Sequence, residues 1–472
     1  MLVILGFLMI AVFMFLVMTK RATPIAALIL VPLIFGLFTG AGLGLGDMVI
    51  ESLLKLAPTA ALLFFAIIFF GTMIDVGLFD PLIRLILRFV KGSPVRLVVG
   101  TALLTSIVSL DGDGSTTFII VTSAMLPLYM RLGLSPVVLT VVAALSNGVL
   151  NTVPWGGSTA RAAAALGVSP IDIFVPMAPA IFAGVGAVLV LAFFLGRSEQ
   201  KRIGMLTLDR EPALAGAAGG TAGRRRFFGK SNIGGDGMPK TGSSVVITND
   251  FKREIDEAGH LGDRPKARPK LIWFNLVLTL AVMVILVLDV VEPALIFMTA
   301  AAIALVINFP KIKEQSAQIK AHADSVISVV GMVFAAAVLT GVMSGTGMID
   351  AMASWLVSVI PAELGPFMAI IAGLLSIPFT FLMTNDAFYF GILPVLAETA
   401  SHYGIAPVEM ARASLVGQAL HQSSPLVASF LLLIGLANVN LGDHFKRVLV
   451  RGIVVALFML LIGGLVGAYQ LF

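Results

Sequence analysis

Ser109-Leu-Asp-Gly-Asp-Gly-Ser-Thr-Thr117 is a polar run inside an apolar stretch reaching from 94 to 130, and Thr384-Asn-Asp386 interrupts a second apolar stretch from 364 to 400. A membrane-spanning helix needs ~20 apolar residues. Each stretch is too long for one crossing and reads as a re-entrant hairpin with a polar tip. Backbone that leaves helical geometry at membrane depth persists only where protein or a water-filled cavity surrounds it. The two interruptions therefore predict an all-α polytopic membrane protein that encloses a polar site.

Composition outside these runs agrees. The 472 residues are 58% hydrophobic and 12% charged, with mean hydropathy +1.03, against roughly 25% charged for soluble domains. That balance excludes a soluble enzyme. Of 57 charges, 24 fall between 196 and 270, leaving the remainder as poor in ionisable groups as lipid-facing helices require. The pI near 9.5 then reports cytoplasmic loops and gives no argument for nucleic acid. With no cysteine in the chain, thiolate metal sites, catalytic thiols and disulfides are excluded.

Residues 2 to 19 are apolar, with Lys20 and Arg21 after the stretch and no small-residue cleavage site following. This is a first crossing, not a secretory signal. Eleven further apolar stretches follow, and with two of them hairpins the chain makes ten crossings. Both termini then lie outside. All basic residues except Lys55, Arg161 and Arg412 fall inside, as the positive-inside rule asks. Residues 196–270, with Arg224-Arg225-Arg226 and Ala-Gly-Ala-Ala-Gly-Gly, read as a flexible cytoplasmic linker or, in the alternative, a regulatory or anionic-lipid-binding patch.

The chain also repeats itself. Pro24, Gly71, Gly77, Asp80, Gly133, Pro136 and Pro154 correspond to Pro293, Gly341, Gly347, Asp350, Gly404, Pro407 and Pro425, at offsets of 269 to 271 residues. Glycine and proline are common enough in membrane helices to align by chance, but not in order at so steady an offset. Halves 1–195 and 271–472 are expected to be an inverted repeat, each with five crossings and one hairpin. Such repeats serve alternating access around a midplane site.

A crossing in each half is itself interrupted, by Ser146-Asn-Gly-Val-Leu-Asn-Thr-Val-Pro-Trp-Gly-Gly-Ser158 and by Gly417-Gln-Ala-Leu-His-Gln-Ser-Ser-Pro425. Proline removes a backbone donor and clashes with the preceding turn, so both helices should unwind. Freed carbonyls suit cations and fresh helix amino termini suit carboxylates. Asp111, Asp113 and Asp386 at the tips and His421 at the second break are candidate proton carriers, or contacts for a hard cation. The plainer reading of Asp113 or Asp386 is a helix cap. Arg161 and Arg412 are possible anion contacts, although Arg412 sits one turn from Glu409 and suits a structural pair equally well. Trp155 and Phe388-Tyr389-Phe390 line the site or simply pack.

Two short motifs carry less. Asp111-Gly-Asp113-Gly-Ser115 opens like a calcium loop, but the twelfth position is Thr122, not Glu, which excludes an EF-hand. Gly44-Leu-Gly-Asp47 matches an intramembrane aspartyl protease pattern, yet falls in an expected external loop without an intramembrane partner.

The opening Met-Leu-Val-Ile-Leu-Gly-Phe-Leu-Met, the Met-Thr-Lys-Arg turn at 18–21, the run 109–117, Asn151-Thr-Val-Pro-Trp-Gly-Gly-Ser-Thr-Ala-Arg161 and His421-Gln-Ser-Ser-Pro425 resemble the citrate–divalent metal:proton symporter family, CitMHS. The resemblance covers the chain outside the central linker. It implies proton-driven symport into the cell, across the plasma membrane, of citrate complexed with a divalent ion of the Mg²⁺ or Ca²⁺ type. The metal is then part of the cargo and no tightly bound cofactor is expected. It also implies membership of the ion-transporter superfamily, whose structurally known divalent-anion/sodium symporters have scaffold and transport domains and work as elevators. Protons, the citrate–metal complex and membrane lipid are the implied partners, without nucleic acid, and a homodimer follows by family analogy.

Those relatives carry Ser-Asn-Thr at each tip, whereas the tips here read Asp-Gly-Asp-Gly-Ser-Thr and Thr-Asn-Asp. By position Ser115, Thr116, Thr384 and Asn385 take the carboxylate-binding role. Asn147, Asn151, Thr152, Gln422, Ser423 and Ser424 complete the site from the broken helices. The departure puts sodium coupling in doubt. Sodium-coupled di- or tricarboxylate transport is the alternative; an ion channel and an intramembrane protease are remote ones.

Overall fold

The computed structural model describes residues 1–81, 85–86, 93–112, 114–203, 266–288 and 290–471, and every regular element among them is helical. Up to residue 203 the helices are α1 (Leu2–Met18), α2 (Pro24–Phe38), α3 (Leu45–Asp75), α4 (Pro94–Val108), α5 (Gly114–Arg131), α6 (Pro136–Leu150), α7 (Gly157–Leu166) and α8 (Pro170–Ile203). After residue 266 come α9 (Ile272–Leu288), α10 (Pro293–Asn308), α11 (Ile312–Ala321), α12 (Ala323–Gly345), α13 (Met348–Val359), α14 (Met368–Leu382), α15 (Leu393–Ser401), α16 (Pro407–Ser414), α17 (Gln418–His421), α18 (Ala428–Ala437) and α19 (Leu441–Leu465). A six-residue π-helix, Ala387–Ile392, leads into α15. Among the described residues, six helices are long and apolar enough to cross a membrane.

Proline starts many of these helices. Pro24, Pro94, Pro136, Pro170, Pro293 and Pro407 each occupy the first helical position, where the missing N–H has no intrahelical partner to lose and the fixed φ suits the helix. Thr23 completes the start of α2 by accepting from Ala26 N at 3.3 Å. Pro154 and Pro425 fall where sequence places the breaks, between α6 and α7 and between α17 and α18. At the first tip, α4 tightens into a 3₁₀ turn, Ser109–Asp111, and Gly112 reverses the chain at φ +78°, a conformation that costs a residue with a Cβ.

Two apolar cores result. One joins α1, α2 and α3 to α9, α10, α12 and α13. Its centre is the antiparallel pair of α3 and α12: Gly71 lets the His322 ring lie against α3, and Gly341 lets α12 lie against the Met48 carbonyl. The other joins α4, α5, α6 and α8 to α14, α15, α16 and α19. Helix α7 lies between them, with Ala160, Ala164 and Ala165 in the first core and Ala162 and Ala163 in the second. Small side chains allow the close backbone approach on which packing in lipid depends, since apolar burial drives no association there.

Three elements differ from the sequence reading. Asp47 is exposed in the first turn of α3 instead of in a loop. Helix α8 continues to Ile203, and the polar stretch after Pro310 forms α11. Most of the central basic segment, residues 204–265, lies outside the described residues. Its end is held, with Lys266 Nζ donating to Asp75 Oδ2 at 3.2 Å and Arg268 N to the Val76 carbonyl at 2.9 Å.

Candidate functional site

Both broken crossings and both hairpin tips meet where the two cores adjoin. At the second tip, Asn385 and Gln418 form a reciprocal amide pair: Asn385 Nδ2 donates to Gln418 Oε1 at 3.2 Å and Gln418 Nε2 to Asn385 Oδ1 at 3.0 Å. Ser158, the second residue of α7, donates to Gln418 Oε1 at 2.7 Å and accepts from Asn385 at 3.1 Å and from Asn151 at 3.4 Å. Gln418 also donates to the Tyr389 hydroxyl at 3.0 Å. These side chains are buried, so each bond answers a group that would otherwise cost ~1–3 kcal/mol unpaired. Thr384 caps the π-helix, accepting from Ala387 N at 3.2 Å.

The first tip makes different contacts. Asn147 Nδ2 donates to Ser109 Oγ at 2.9 Å, while its buried Oδ1 has no partner among the described residues. A Cβ on Gly114 would lie 2.8 Å from Ser429 Oγ and 3.3 Å from that same Asn147 oxygen. Glycine there therefore brings the tip against both broken crossings. Trp155 donates to the Leu110 carbonyl at 2.7 Å and stacks on Phe70 with centroids 3.9 Å apart. Asp113 and the side chain of Asp111 lie outside the described residues.

Among the described residues, one ion pair lies at this junction. Arg161 Nε and Asp386 Oδ1 are 2.5 Å apart, with side chains 25% and 11% exposed, and Arg161 Nη1 donates to the Gly157 carbonyl at 2.8 Å. The two residues picked separately, as an anion contact and as a proton or metal contact, are each other's partners. Arg412 instead donates to the backbone carbonyls of Asp172 and Ala468.

Around the second break, His421 Nδ1 donates to the Thr380 carbonyl at 2.5 Å and Ser424 Oγ to the Phe381 carbonyl at 2.7 Å. Ser423 Oγ lies 3.2 Å from His444 Nε2, whose Nδ1 is 3.0 Å from Thr140 Oγ1. Gln422 Oε1 is buried with no partner among the described residues. Thr152 Oγ1 donates to the Val149 carbonyl at 2.6 Å. Three residues that carry bonds here, Ser158, Gln418 and His444, were not picked from sequence, and Tyr389 was read only as lining or packing. The repeat offset held a signal for two of them: Asn147 and Gln418, like Ser158 and Ser429, stand 271 residues apart.

A cavity of about 600 Å³ opens onto the first tip. Gly112, Thr116, Trp155 and Gly157 line one wall, and Asp75, Lys266, His322, Ser325 and Ser328 the facing one. A second cleft of about 530 Å³, beside Glu51, Ser52, Lys55, Thr340 and Glu398, lies toward the opposite end of the α3–α12 pair. Gly157 and Arg161, with Val329, Met332, Val333 and Phe390, enclose a small void of about 10 Å³, less than a water needs. The array of amides, hydroxyls and one guanidinium suits a ligand carrying carboxylate and hydroxyl oxygens.

Broken helices that gather polar groups between two cores in a multi-pass helical membrane protein suit a transporter, and the family shows that class: it is one of transporters, not enzymes. The citrate transporter (CitMHS) family model matches residues 2–417, and the chain belongs to that family. It is 47% identical over 446 residues to a citrate transporter of Bacillus subtilis strain 168, covering 94% of each chain. It is 44% identical over 472 residues to the Mg(2+)/citrate complex secondary transporter of the same organism, covering all of both. Among solved structures, the Alcanivorax borkumensis YdaH transporter shares the fold at TM-score 0.51 and 15% identity, over 88% of this chain and 86% of that one.

Proposed function

We propose that this chain is a proton-coupled symporter that carries citrate complexed with a divalent metal ion into the cell. The observation that carries the reading is the cavity that reaches Gly112 and Thr116 beside an otherwise buried polar junction, in a chain 44% identical to a transporter of the Mg(2+)/citrate complex. Free citrate bears three negative charges near neutral pH and its complex with a divalent ion one, so the complex requires less desolvation. Ser115, Thr116, Asn147, Asn151, Thr152, Thr384, Asn385, Gln422, Ser423 and Ser424 surround the substrate, joined by Ser158 and Gln418. Asp111, Asp113, Asp386 and His421 are the candidates for proton or metal contact, and Arg161 for the anion.

The architecture we infer is an inverted repeat, 1–195 and 271–472, around the basic segment 196–270. Support comes from element order: two apolar helices, a long helix, an interrupted hairpin, a broken crossing and a closing helix occur twice. The glycines that matched in sequence share a backbone role, Gly77 and Gly347 at φ +83° and +72°, Gly133 and Gly404 at +69° and +80°. In the elevator we infer, the core containing both hairpins slides against the core built on α3 and α12. Ten crossings leave both termini outside and Lys266 at the cytoplasmic mouth, so the larger cavity faces inward. Pairing of two chains through the stationary core would make the homodimer.

Radiolabelled citrate uptake into proteoliposomes, with magnesium, pH gradient and sodium varied independently, tests the function. Accumulation that needs both magnesium and an inward proton gradient is expected. Uptake that persists with the metal chelated and collapses without sodium would overturn the proposal in favour of a sodium-coupled carrier.

A further inference from the structure

The Arg161–Asp386 pair joins two elements far apart in sequence, the helix after the first break and the second hairpin tip. Arg161 donates to the carbonyl of Gly157, which lines both the large cavity and the void at the constriction. The pair therefore lies one hydrogen bond behind the cavity wall that Gly157 shares with Thr116 and Trp155. No counterpart of it exists 271 residues on: the position matching Arg161 is Leu432. Its net charge is zero, and each partner already holds the ion it needs.

We propose that this pair selects the metal-bound form of citrate by ion-pair exchange, an inference that rests on the substrate proposed above. A free citrate anion that takes Arg161 must displace Asp386 and leave that carboxylate, only 11% exposed, without a cation. An uncompensated, largely desolvated charge is among the most unfavourable groups a protein can hold. A metal–citrate complex carries both replacements at once. A carboxylate of the complex takes the guanidinium, through both oxygens where the metal leaves them free. The metal, which keeps coordination positions open to water or to one further carboxylate, takes Asp386. The site exchanges one ion pair for two and leaves neither Arg161 nor Asp386 without a counter-ion, the single net negative charge being the one the complex brings. Asp386 is thus a specificity-determining residue, and its pairing with Arg161 in the empty site is the mechanism of rejection. The guanidinium alone would favour whichever ligand carried most negative charge, which is free citrate.

The test is competition and uptake with radiolabelled citrate by the reconstituted full chain, in magnesium and in excess chelator. Wild type, Asp386→Asn, Asp386→Glu and the double variant Arg161→Gln/Asp386→Asn are compared. For wild type a KM for the magnesium complex roughly tenfold or more below that for free citrate is expected, the scale of one charge-assisted contact. Asp386→Asn should bring the two within about threefold, by gaining on free citrate and losing on the complex. Asp386→Glu should keep the wild-type preference, which a merely structural role would not require. The double variant should bind both forms weakly and without preference. Should Asp386→Asn fail to insert, the Asp386→Glu and double-variant comparison still decides. Magnesium-dependent wild-type uptake with an equally magnesium-dependent Asp386→Asn or double variant would overturn the exchange alone. Wild-type uptake indifferent to magnesium would overturn the substrate itself.

Discussion

The two hairpin tips meet different surroundings. At the second tip Asn385, Gln418, Ser158 and Tyr389 satisfy one another, and Asp386 has Arg161. At the first, Asn147 reaches Ser109 and leaves its carbonyl oxygen without a partner among the described residues, beside a glycine that keeps the tip close. Among the described residues, the first tip lines the larger cavity, through Gly112 and Thr116, and the second does not. A saturated network resists change because every bond lost leaves its partner desolvated. An acceptor still unpaired, as Asn147 Oδ1 is among the described residues, can take a new donor without giving up an old one. In this conformation the second tip is the closed wall and the first the open one.

The sharpest way to break that contrast is to truncate the matched amides. Gln418→Ala leaves Ser158, Asn385 and Tyr389 each short of a buried partner, at ~1–3 kcal/mol apiece. It should lower thermal stability clearly and reduce citrate uptake at least about tenfold. Asn147→Ala removes one bond and should cost about 1 kcal/mol of stability. Equal destabilisation by the two, measured on purified protein, would show that the bonding difference carries no energy.

Accessibility offers a second, smaller effect. The chain has no cysteine, so single thiols can be introduced without a background. Thr116→Cys, on the cavity wall, should react with a soluble maleimide at least about ten times faster than Asn385→Cys, because alkylation needs a thiolate that solvent reaches. Similar rates would mean that both tips are open, and the distinction between open and closed walls would fall. Smaller still is Trp155→Phe, which keeps an aromatic face against Phe70 and loses the bond to the Leu110 carbonyl. It should destabilise by about 1 kcal/mol and raise KM only a few-fold.

How much of this was visible beforehand follows from what each interaction depends on. The tips and breaks were legible because polar runs and prolines inside apolar stretches are local signals; Pro154, Pro425, Asn147 and Asn385 fall where they were expected. The partners were not, because they depend on how distant segments pack. Nothing in the sequence around Asp386 announces Arg161, 225 residues away. Ser158 looked like the polar end of a glycine turn, and Gln418 like one more polar residue before a break. His444, among ordinary helix residues, shows its contact with Ser423 only when α19 lies against the second break. The extension of α8 to Ile203 was hidden for the opposite reason: charged residues there read as the start of a linker. Glu199 in fact accepts from Ser135 N at 3.0 Å and pairs with Arg202 at 2.7 Å.

The smallest expected effect contrasts the two ends of the α3–α12 pair. Near the second cleft, Glu51 and Lys55 are bonded one turn apart at 2.8 Å, both side chains 70% exposed. Exposed pairs of this kind contribute little, because water and salt screen them and holding two long side chains costs entropy. Glu51→Gln should leave uptake and thermal stability unchanged at any salt concentration. The other end differs in kind: Asp75 accepts from Lys266 at 3.2 Å and from Gln318 at 2.7 Å, with His322 Nε2 at 3.3 Å, in the wall of the cavity that reaches the first tip. Asp75→Asn removes the negative charge shared by Lys266, Gln318 and His322, which come from two segments, and should slow uptake several-fold. If Glu51→Gln were the more damaging of the two, the working face of the transporter would have to be sought in the second cleft, and the assignment of the larger cavity as the substrate path would fail.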